Sequence, residues 1–280
     1  MEWSSEIIRS RQNRAVVELC KLTDRKAREA QQAFRFDGIK LLCEAVRKGV
    51  ALQTIVMRAS GAEALKARLC ESCGNAVFEG NGRVLLLADE LFDKISEEKS
   101  PEGVITIAKY IDKFQKFATI YNSADFLRIK NESVVLLESV RDPSNIGAVI
   151  RSAAAIGVDR LVISEDCADI YHPKAVRASM GALFDQPIDR VSDLCGVIRG
   201  LRESGRRVFA AALDARAVRL GGFAVEAGDC VVIGNEGHGL SSAVIEACDR
   251  SVMIPMTERA ESFNAAVAAS ILMWEFHGKQ

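Results

Sequence analysis

Three stretches in the second half of the chain carry side chains whose types and spacing could do chemistry. The first, residues 138–151, contains Asn145-Ile-Gly147-Ala-Val-Ile-Arg151. Asn145 suits the N-cap of a following helix, where its side chain would accept an orphan backbone N–H. Gly147 in a first helical turn weakens the helix, which suits close approach of another backbone. Arg151 lies six residues on, within reach of the same loop through its long side chain.

The second stretch is Gly234-Asn-Glu236-Gly237-His-Gly239-Leu240-Ser241, between an apolar run and a helix-like segment. Its glycines permit unusual backbone angles and expose amides to a ligand. It is not a P-loop, because Leu240 stands where lysine is required, and it lacks G-x-G-x-x-G. Glu236 would repel a phosphate; it suits a hydroxyl, an amide or an arginine. His238 is expected to face solvent. The third stretch, residues 254–264, joins Ile254-Pro255-Met256 to Ser262-Phe263-Asn264, with Ser262 the expected N-cap and Asn264 in the first turn of an alanine-rich helix.

Such loops need a rigid frame. Residues 133–137, 160–163, 208–212, 230–233 and 251–254 are short apolar runs, expected as strands buried on both faces. Helices are expected over about 146–156, after Pro173, over 192–204, from Ser241 to Cys248 and over 263–276. Strand and helix alternating with short links imply a parallel α/β sheet, with the three loops gathered at the carboxyl ends of its strands, where ligands bind.

Residues 1–108 read as a smaller α/β domain. Strands are expected at 34–36, 52–57, 84–87 and 103–108. Helices are expected over 24–33, from Ile39, over 62–73, and from a cap at Asp89 to Ser96. Residues 109–130, mixing Lys and Arg with Phe and Tyr, read as a structured connector to a domain at 131–280.

The 280 residues are 49% hydrophobic and 27% charged with a net charge of -1, which excludes a disordered chain and gives no global signal for nucleic acid. No apolar run is long enough to span a membrane and no signal peptide is visible, so a cytoplasmic protein is expected. Locally, residues 1–50 hold 11 Lys and Arg against 7 Asp and Glu. Arg9, Arg11, Arg14, Lys21, Arg25, Lys26 and Arg28 crowd together as a phosphate-contacting surface or a solvated helix face. Of eight cysteines only Cys70 and Cys73 form C-x-x-C, with no second pair or histidine to complete a zinc site; free thiols and no metal are expected.

Taken together, the three loops resemble the SpoU (TrmH-like) family of SPOUT RNA methyltransferases. Its motifs N-x-G-x-x-x-R, G-x-E-x-x-G-L and I-P-M with S-L-N occur here in order over roughly residues 132 to 277, with Phe263 in place of leucine. Arg177-Ala-Ser-Met-Gly181-Ala resembles the family's R-x-S-x-G-A segment. Phe36-Asp37-Gly38 and Pro101-Glu-Gly103-Val resemble the F-x-x-E-G and P-x-G-V signatures of its substrate-binding domain, which has a ribosomal-protein-like fold.

The resemblance implies a C-terminal SPOUT domain with a deep trefoil knot, a homodimer, S-adenosylmethionine as methyl donor, and an rRNA or tRNA ribose 2′-hydroxyl as acceptor. By position, Gly234, Ile254 and Phe263 would hold the donor, with Met256 and Leu213 in the same pocket. Arg151 would stabilise the nascent alkoxide, oriented by Asn145 and Glu236, with Ser262 and Asn264 completing the site. Arg141 and the N-terminal basic cluster would contact phosphates. A SPOUT enzyme acting on a base, a non-catalytic RNA-binding or ribosome-assembly protein, and a nucleotide-using Rossmann enzyme are the alternatives. The ribose-type motifs oppose the first, the intact polar set the second, and the missing glycine fingerprint the third.

Overall fold

The computed structural model describes residues 1–111, 126, 129, 131–214, 217–257, 259 and 262–278. In chain order the first elements are β1 (Glu2–Ile8), α1 (Arg14–Lys21), α2 (Arg25–Gln31), β2 (Ala33–Asp37), α3 (Ile39–Arg47), β3 (Leu52–Arg58), α4 (Ala62–Cys73), β4 (Arg83–Leu87), α5 (Asp89–Ile95) and β5 (Val104–Lys109). Then come β6 (Val134–Leu137), α6 (Pro143–Ile156), β7 (Arg160–Ser164), α7 (Pro173–Ser179), β8 (Ile188–Val191), α8 (Leu194–Glu203) and β9 (Val208–Ala211). The last are β10 (Val218–Arg219), β11 (Cys230–Ile233), α9 (Ser242–Ala247), β12 (Arg250–Met253) and α10 (Ala265–His277). Most of the expected connector, 109–130, lies outside the described residues.

Two compact units emerge: Met1–Ile111 with Tyr171–Asp185, and Asp112–Ile170 with Gln186–Gln280. The first holds a sheet ordered β1-β4-β3-β5-β2. β1, β4 and β3 run parallel, while β5 is antiparallel to β3 and β2. Val16 and Leu19, three apart on α1, meet Val56, Leu87, Phe92 and Ile105 in its core. Neither β1 nor α1 is among the elements expected from the sequence. β1 is a polar edge strand rich in serine and glutamate, without the apolar alternation that marks a strand.

Asp89 does not cap α5. Ala88 holds the cap position, and the Asp89 carboxylate accepts the backbone N–H of Ser60 at 3.0 Å. The buried Asp37 carboxylate accepts from Arg35 at 2.9 Å, from the Ser96 hydroxyl at 2.7 Å and from the Glu97 N–H at 2.9 Å. An acid ahead of Gly38 thus anchors the segment after α5. Residues 171–185, which chain order places in the second expected domain, pack with this unit. Tyr171 stacks on Tyr110 with centroids 4.0 Å apart, and α7 lies on β2. Cys43 is bonded to Cys73 in a disulfide between α3 and α4, which corrects the expectation of free thiols for these two. The helices fold back on one another and bring together residues that sequence spacing keeps apart.

The second unit is an all-parallel sheet ordered β10-β12-β9-β11-β6-β7-β8. Its central strands β6 and β11 are buried at every position, as expected of strands covered on both faces. Val134, Leu136, Val197, Leu201, Val232 and Val244 belong to one continuous core. Among the described residues, no helix is long and apolar enough to cross a membrane.

α10 ends on His277, whose Nε2 is buried without a hydrogen-bond partner among the described residues. Burial first, and the nearby Arg206 second, push its imidazole down to about 4. The unfolded chain binds a proton near pH 6.5 and the folded chain does not until about pH 4, so stability is full above 6.5 and is lost as pH falls between the two values. The full loss is about 3 kcal/mol. The expected result is a melting temperature that declines steadily from pH 7 to 4.5, with a shallower decline in His277→Leu. Identical slopes in both proteins would exclude this histidine as the source.

Candidate functional site

The site is built from loops at the carboxyl ends of β6, β9, β11 and β12. α6 begins earlier than the sequence suggests. Asp142 is its N-cap, accepting the Ser144 N–H at 2.7 Å, and Pro143 takes the first helical position, where a missing N–H costs nothing. Asn145 is therefore not the cap. It lies inside the first turn, nearly buried, with its amide free to bond elsewhere. The second cap is also displaced. Asn264, not Ser262, caps α10, accepting the N–H groups of Ala266 at 3.0 Å and Val267 at 3.3 Å.

These two shifts produce the centre of the site. The Asn145 amide donates to Glu236 Oε1 at 2.8 Å, and the Asn264 amide donates to Asn145 Oδ1 at 3.0 Å. One side-chain chain thus joins residues from all three loops. It leaves Glu236 Oε2 without a partner among the described residues, able to accept from a hydroxyl or a cation.

The glycine loop is a tight hairpin. Asn235 and Gly239 exchange both backbone hydrogen bonds at 3.0 Å. Asn235 Oδ1 accepts from the N–H groups of Gly237 at 2.8 Å and His238 at 3.1 Å, and its amide donates to the Ser139 carbonyl at 2.7 Å. Ser139 itself has φ of 55°, an uncommon conformation for a residue with a Cβ. It is held by the Ser164 hydroxyl and by Asp166. Although burial pushes the Asp166 carboxyl up, the hydroxyls of Ser139 and Ser164 bring it below its ordinary value. Glu138 accepts both the N–H of Ser241 at 2.8 Å and its hydroxyl at 2.7 Å. Asn235 and Glu138 were not singled out by sequence reasoning. Their signal is a carboxamide two residues before a glycine, which favours an Asx turn, and an acid ending a buried strand.

A cavity of about 430 Å³ opens over this hairpin. Gly234, Ile254, Met256, Phe263 and Leu213, the five positions expected to hold a donor, all line it, as do Glu236 and Ser262. Ala211, Leu240 and Leu272 add an apolar wall that the sequence reading did not assign. Gly234 is buried, and a Cβ there would lie 2.4 Å from the Gly239 carbonyl carbon, so the cradle admits only glycine. His238 is exposed at the rim. Asn145 and Asn264 lie outside the lining. Arg151 is exposed on α6 and, among the described residues, makes no hydrogen bond or ion pair with Asn145 or Glu236, which bond to each other instead. Arg141 lies 3.6 Å from Asp166.

An all-parallel sheet with a cavity above its carboxyl ends, and a chain of polar side chains beside it, has the layout in which α/β domains bind small molecules. Residues 132–274 match the SpoU rRNA Methylase family, and the chain belongs to that family. Residues 13–106 match the MRM3-like substrate binding domain.

The 23S rRNA (guanosine(2553)-2'-O)-methyltransferase RlmP of Bacillus subtilis is 26% identical over 97% of this chain and 99% of its own. The 23S rRNA (uridine(2479)-2'-O)-methyltransferase of Streptomyces viridochromogenes is 32% identical over 68% of this chain and 66% of its own. Among solved structures, an rRNA methyltransferase from Sinorhizobium meliloti superposes with a TM-score of 0.77 at 26% identity, covering 98% of this chain and 97% of that one. The SpoU methyltransferase AviRb from Streptomyces viridochromogenes, in complex with the cofactor AdoMet, superposes with a TM-score of 0.78 at 25% identity, covering 96% and 98%.

Proposed function

We propose that this protein transfers a methyl group from S-adenosylmethionine to a ribose 2′-hydroxyl of rRNA or tRNA. The observation that carries the reading is the chain Glu236–Asn145–Asn264 at the edge of the cavity, which joins the three family motifs in one hydrogen-bonded unit. The cavity suits the donor: it offers apolar walls, backbone polar groups of the hairpin, and a floor at Gly234 that any side chain would fill. Gly234, Ile254, Met256, Phe263 and Leu213 would hold the donor, which supplies an electrophilic methyl on a sulfonium.

A ribose hydroxyl is a weak acid, so the negative charge that develops on its oxygen needs stabilisation. The Arg151 guanidinium supplies a positive charge and a planar fork of N–H donors for that oxygen. Proton removal falls to a neighbouring group or an RNA phosphate. Glu236 has one carboxylate oxygen unpartnered among the described residues, with which to hold the hydroxyl or the guanidinium, while Asn145 and Asn264 fix its other oxygen and the loops. Ser262 completes the rim. Holding the hydroxyl in line with the methyl supplies a large part of the rate.

The active form is a homodimer under this reading. α10 is apolar nearly all round, and such a helix belongs in an interior. Here Val267 and Trp274, seven residues apart on the helix, remain exposed, Trp274 at 56%. A second copy covering this face would bury them. α6 packs directly on α10. A knotted C-terminus belongs to the same reading. The compartment under this reading is the cytoplasm. The remaining described cysteines are free, and Cys43–Cys73 is the one bond that a reducing compartment would tend to open.

The test is incubation with labelled S-adenosylmethionine and, separately, unmodified 23S rRNA and tRNA, followed by digestion and identification of the labelled nucleoside. A 2′-O-methylated nucleoside from one RNA class is expected. A methylated base would replace this reading with that of a base methyltransferase, and no label with intact donor binding would leave a non-catalytic RNA-binding protein.

A further inference from the structure

The first unit holds a large concavity of its own, of about 720 Å³. It lies where the parallel strands β1, β4 and β3 end. The N–H of Ala88 bonds to the Ile8 carbonyl at 3.0 Å and that of Ala59 to the Leu87 carbonyl at 2.8 Å, so the three strand ends form one ledge. Crevices at the carboxyl ends of parallel strands are where α/β sheets receive ligands.

Arg9 and Arg11 enter from the segment after β1, and Lys94 from α5. All three are exposed, and none forms an ion pair among the described residues. This separates them from other cations of the N-terminal basic cluster. Arg14 pairs with Glu18 at 2.9 Å and Arg25 with Glu29 at 2.8 Å, while Arg28 is buried and donates to the carbonyls of Leu22 and Thr23 at 2.8 Å. The acids in the lining are Asp89, which accepts from the N–H and hydroxyl of Ser60, and Glu90. Ile7, at 43% exposure, supplies a bare apolar surface beside the cations. Arg9 and Arg11 precede residues 13–106, so this wall lies outside the match to the substrate-binding domain.

We propose that this cleft seats an unpaired nucleotide of the RNA, with Arg9, Arg11 and Lys94 on its flanking phosphates and its base against Ile7. The proposal rests on the RNA reading above and extends it to a named contact. Mixed charge favours a single strand: the cations take one or two phosphates, while Asp89 and Glu90 repel a longer run and can accept from a base or ribose edge. A duplex backbone would lay phosphates against those carboxylates.

The test uses Arg9→Glu/Arg11→Glu and, from the opposite wall, Lys94→Glu, with 23S rRNA transcript as the probe. RNA affinity is measured across a salt series, together with donor affinity, melting temperature, and kcat and KM for the RNA. Losing phosphate contacts should weaken RNA binding about tenfold or more and reduce the log–log salt slope by about one to two. It should raise KM while leaving kcat, donor affinity and melting temperature unchanged. Wild-type affinity and salt slope in both variants, with methylation intact, would overturn the cleft and leave the methyltransferase standing. Weakened RNA binding in the variants of a protein that methylates no RNA would do the reverse.

Discussion

Arg151→Ala is expected to slow methyl transfer by about 10²- to 10³-fold, with donor affinity and melting temperature within error of wild type. The magnitude is that of removing one preorganised charge from a developing oxyanion, about 3–4 kcal/mol of transition-state stabilisation. The sparing of stability follows from the environment of the side chain. Arg151 is exposed, lies within α6, and makes no hydrogen bond or ion pair among the described residues. Alanine also has a better helix propensity than arginine. The sparing of donor affinity follows from the cavity, whose lining does not include Arg151. Arg151→Lys keeps the charge and loses the planar fork, so it should recover only part of the rate. Single-turnover transfer from labelled donor, with donor binding measured separately, checks this. Activity within twofold of wild type in the alanine variant would remove Arg151 from the chemistry and leave Glu236 as the group to test next. Weakened donor affinity at unchanged kcat would instead assign it to binding.

What could be read from the sequence was the frame. Runs such as Cys230–Ile233 are short, wholly apolar and followed by glycine, too short for a helix and suited to strands buried on both faces. The spacing of the three loops was legible because each follows such a run. Helix starts were less legible, because several residues near each start can cap. Asn145 and Ser262 are both good caps by type, yet Asp142 before Pro143 and Asn264 took the positions. This difference matters for function. A capping Asn145 would be occupied by backbone, whereas Asn145 in the first turn can join Glu236 to Asn264.

The polar strand β1 escaped notice because its stability comes from the ladder with β4, not from an apolar face. Pairing of Cys43 with Cys73 depends on the packing of α3 on α4, which local spacing does not encode. The unfilled apolar face of α10 was visible only as an alanine-rich helix. Its exposure is a tertiary fact.

Gly234→Ala is expected to abolish measurable donor binding, weakening it by 100-fold or more, while Gly237→Ala changes it by no more than a few fold. Both substitutions add one methyl group to the same hairpin, and the geometry separates them. At Gly234 the new Cβ would lie 2.4 Å from the carbonyl carbon of Gly239, 2.6 Å from its oxygen and 2.6 Å from the Leu240 nitrogen. All three are backbone atoms, so no rotamer change relieves the clash. The hairpin cannot yield as a body either, because Asn235 ties it to itself and to Ser139, and Glu138 ties its end at Ser241. Gly239, at φ of 67°, already occupies the left-handed region and has little room to adjust. Overpacking of this kind costs about 1–3 kcal/mol or more and would be relieved by opening the hairpin, which is one wall of the cavity. At Gly237 the nearest atom is Asn235 Oδ1 at 3.6 Å, an ordinary contact, and its φ is not in the left-handed region. Calorimetric titration with S-adenosylmethionine, with melting curves of both variants, separates a lost pocket from a lost fold. Near-native donor affinity in a folded Gly234→Ala protein would mean that the donor does not use this hairpin, and the assignment of the cavity would have to be abandoned.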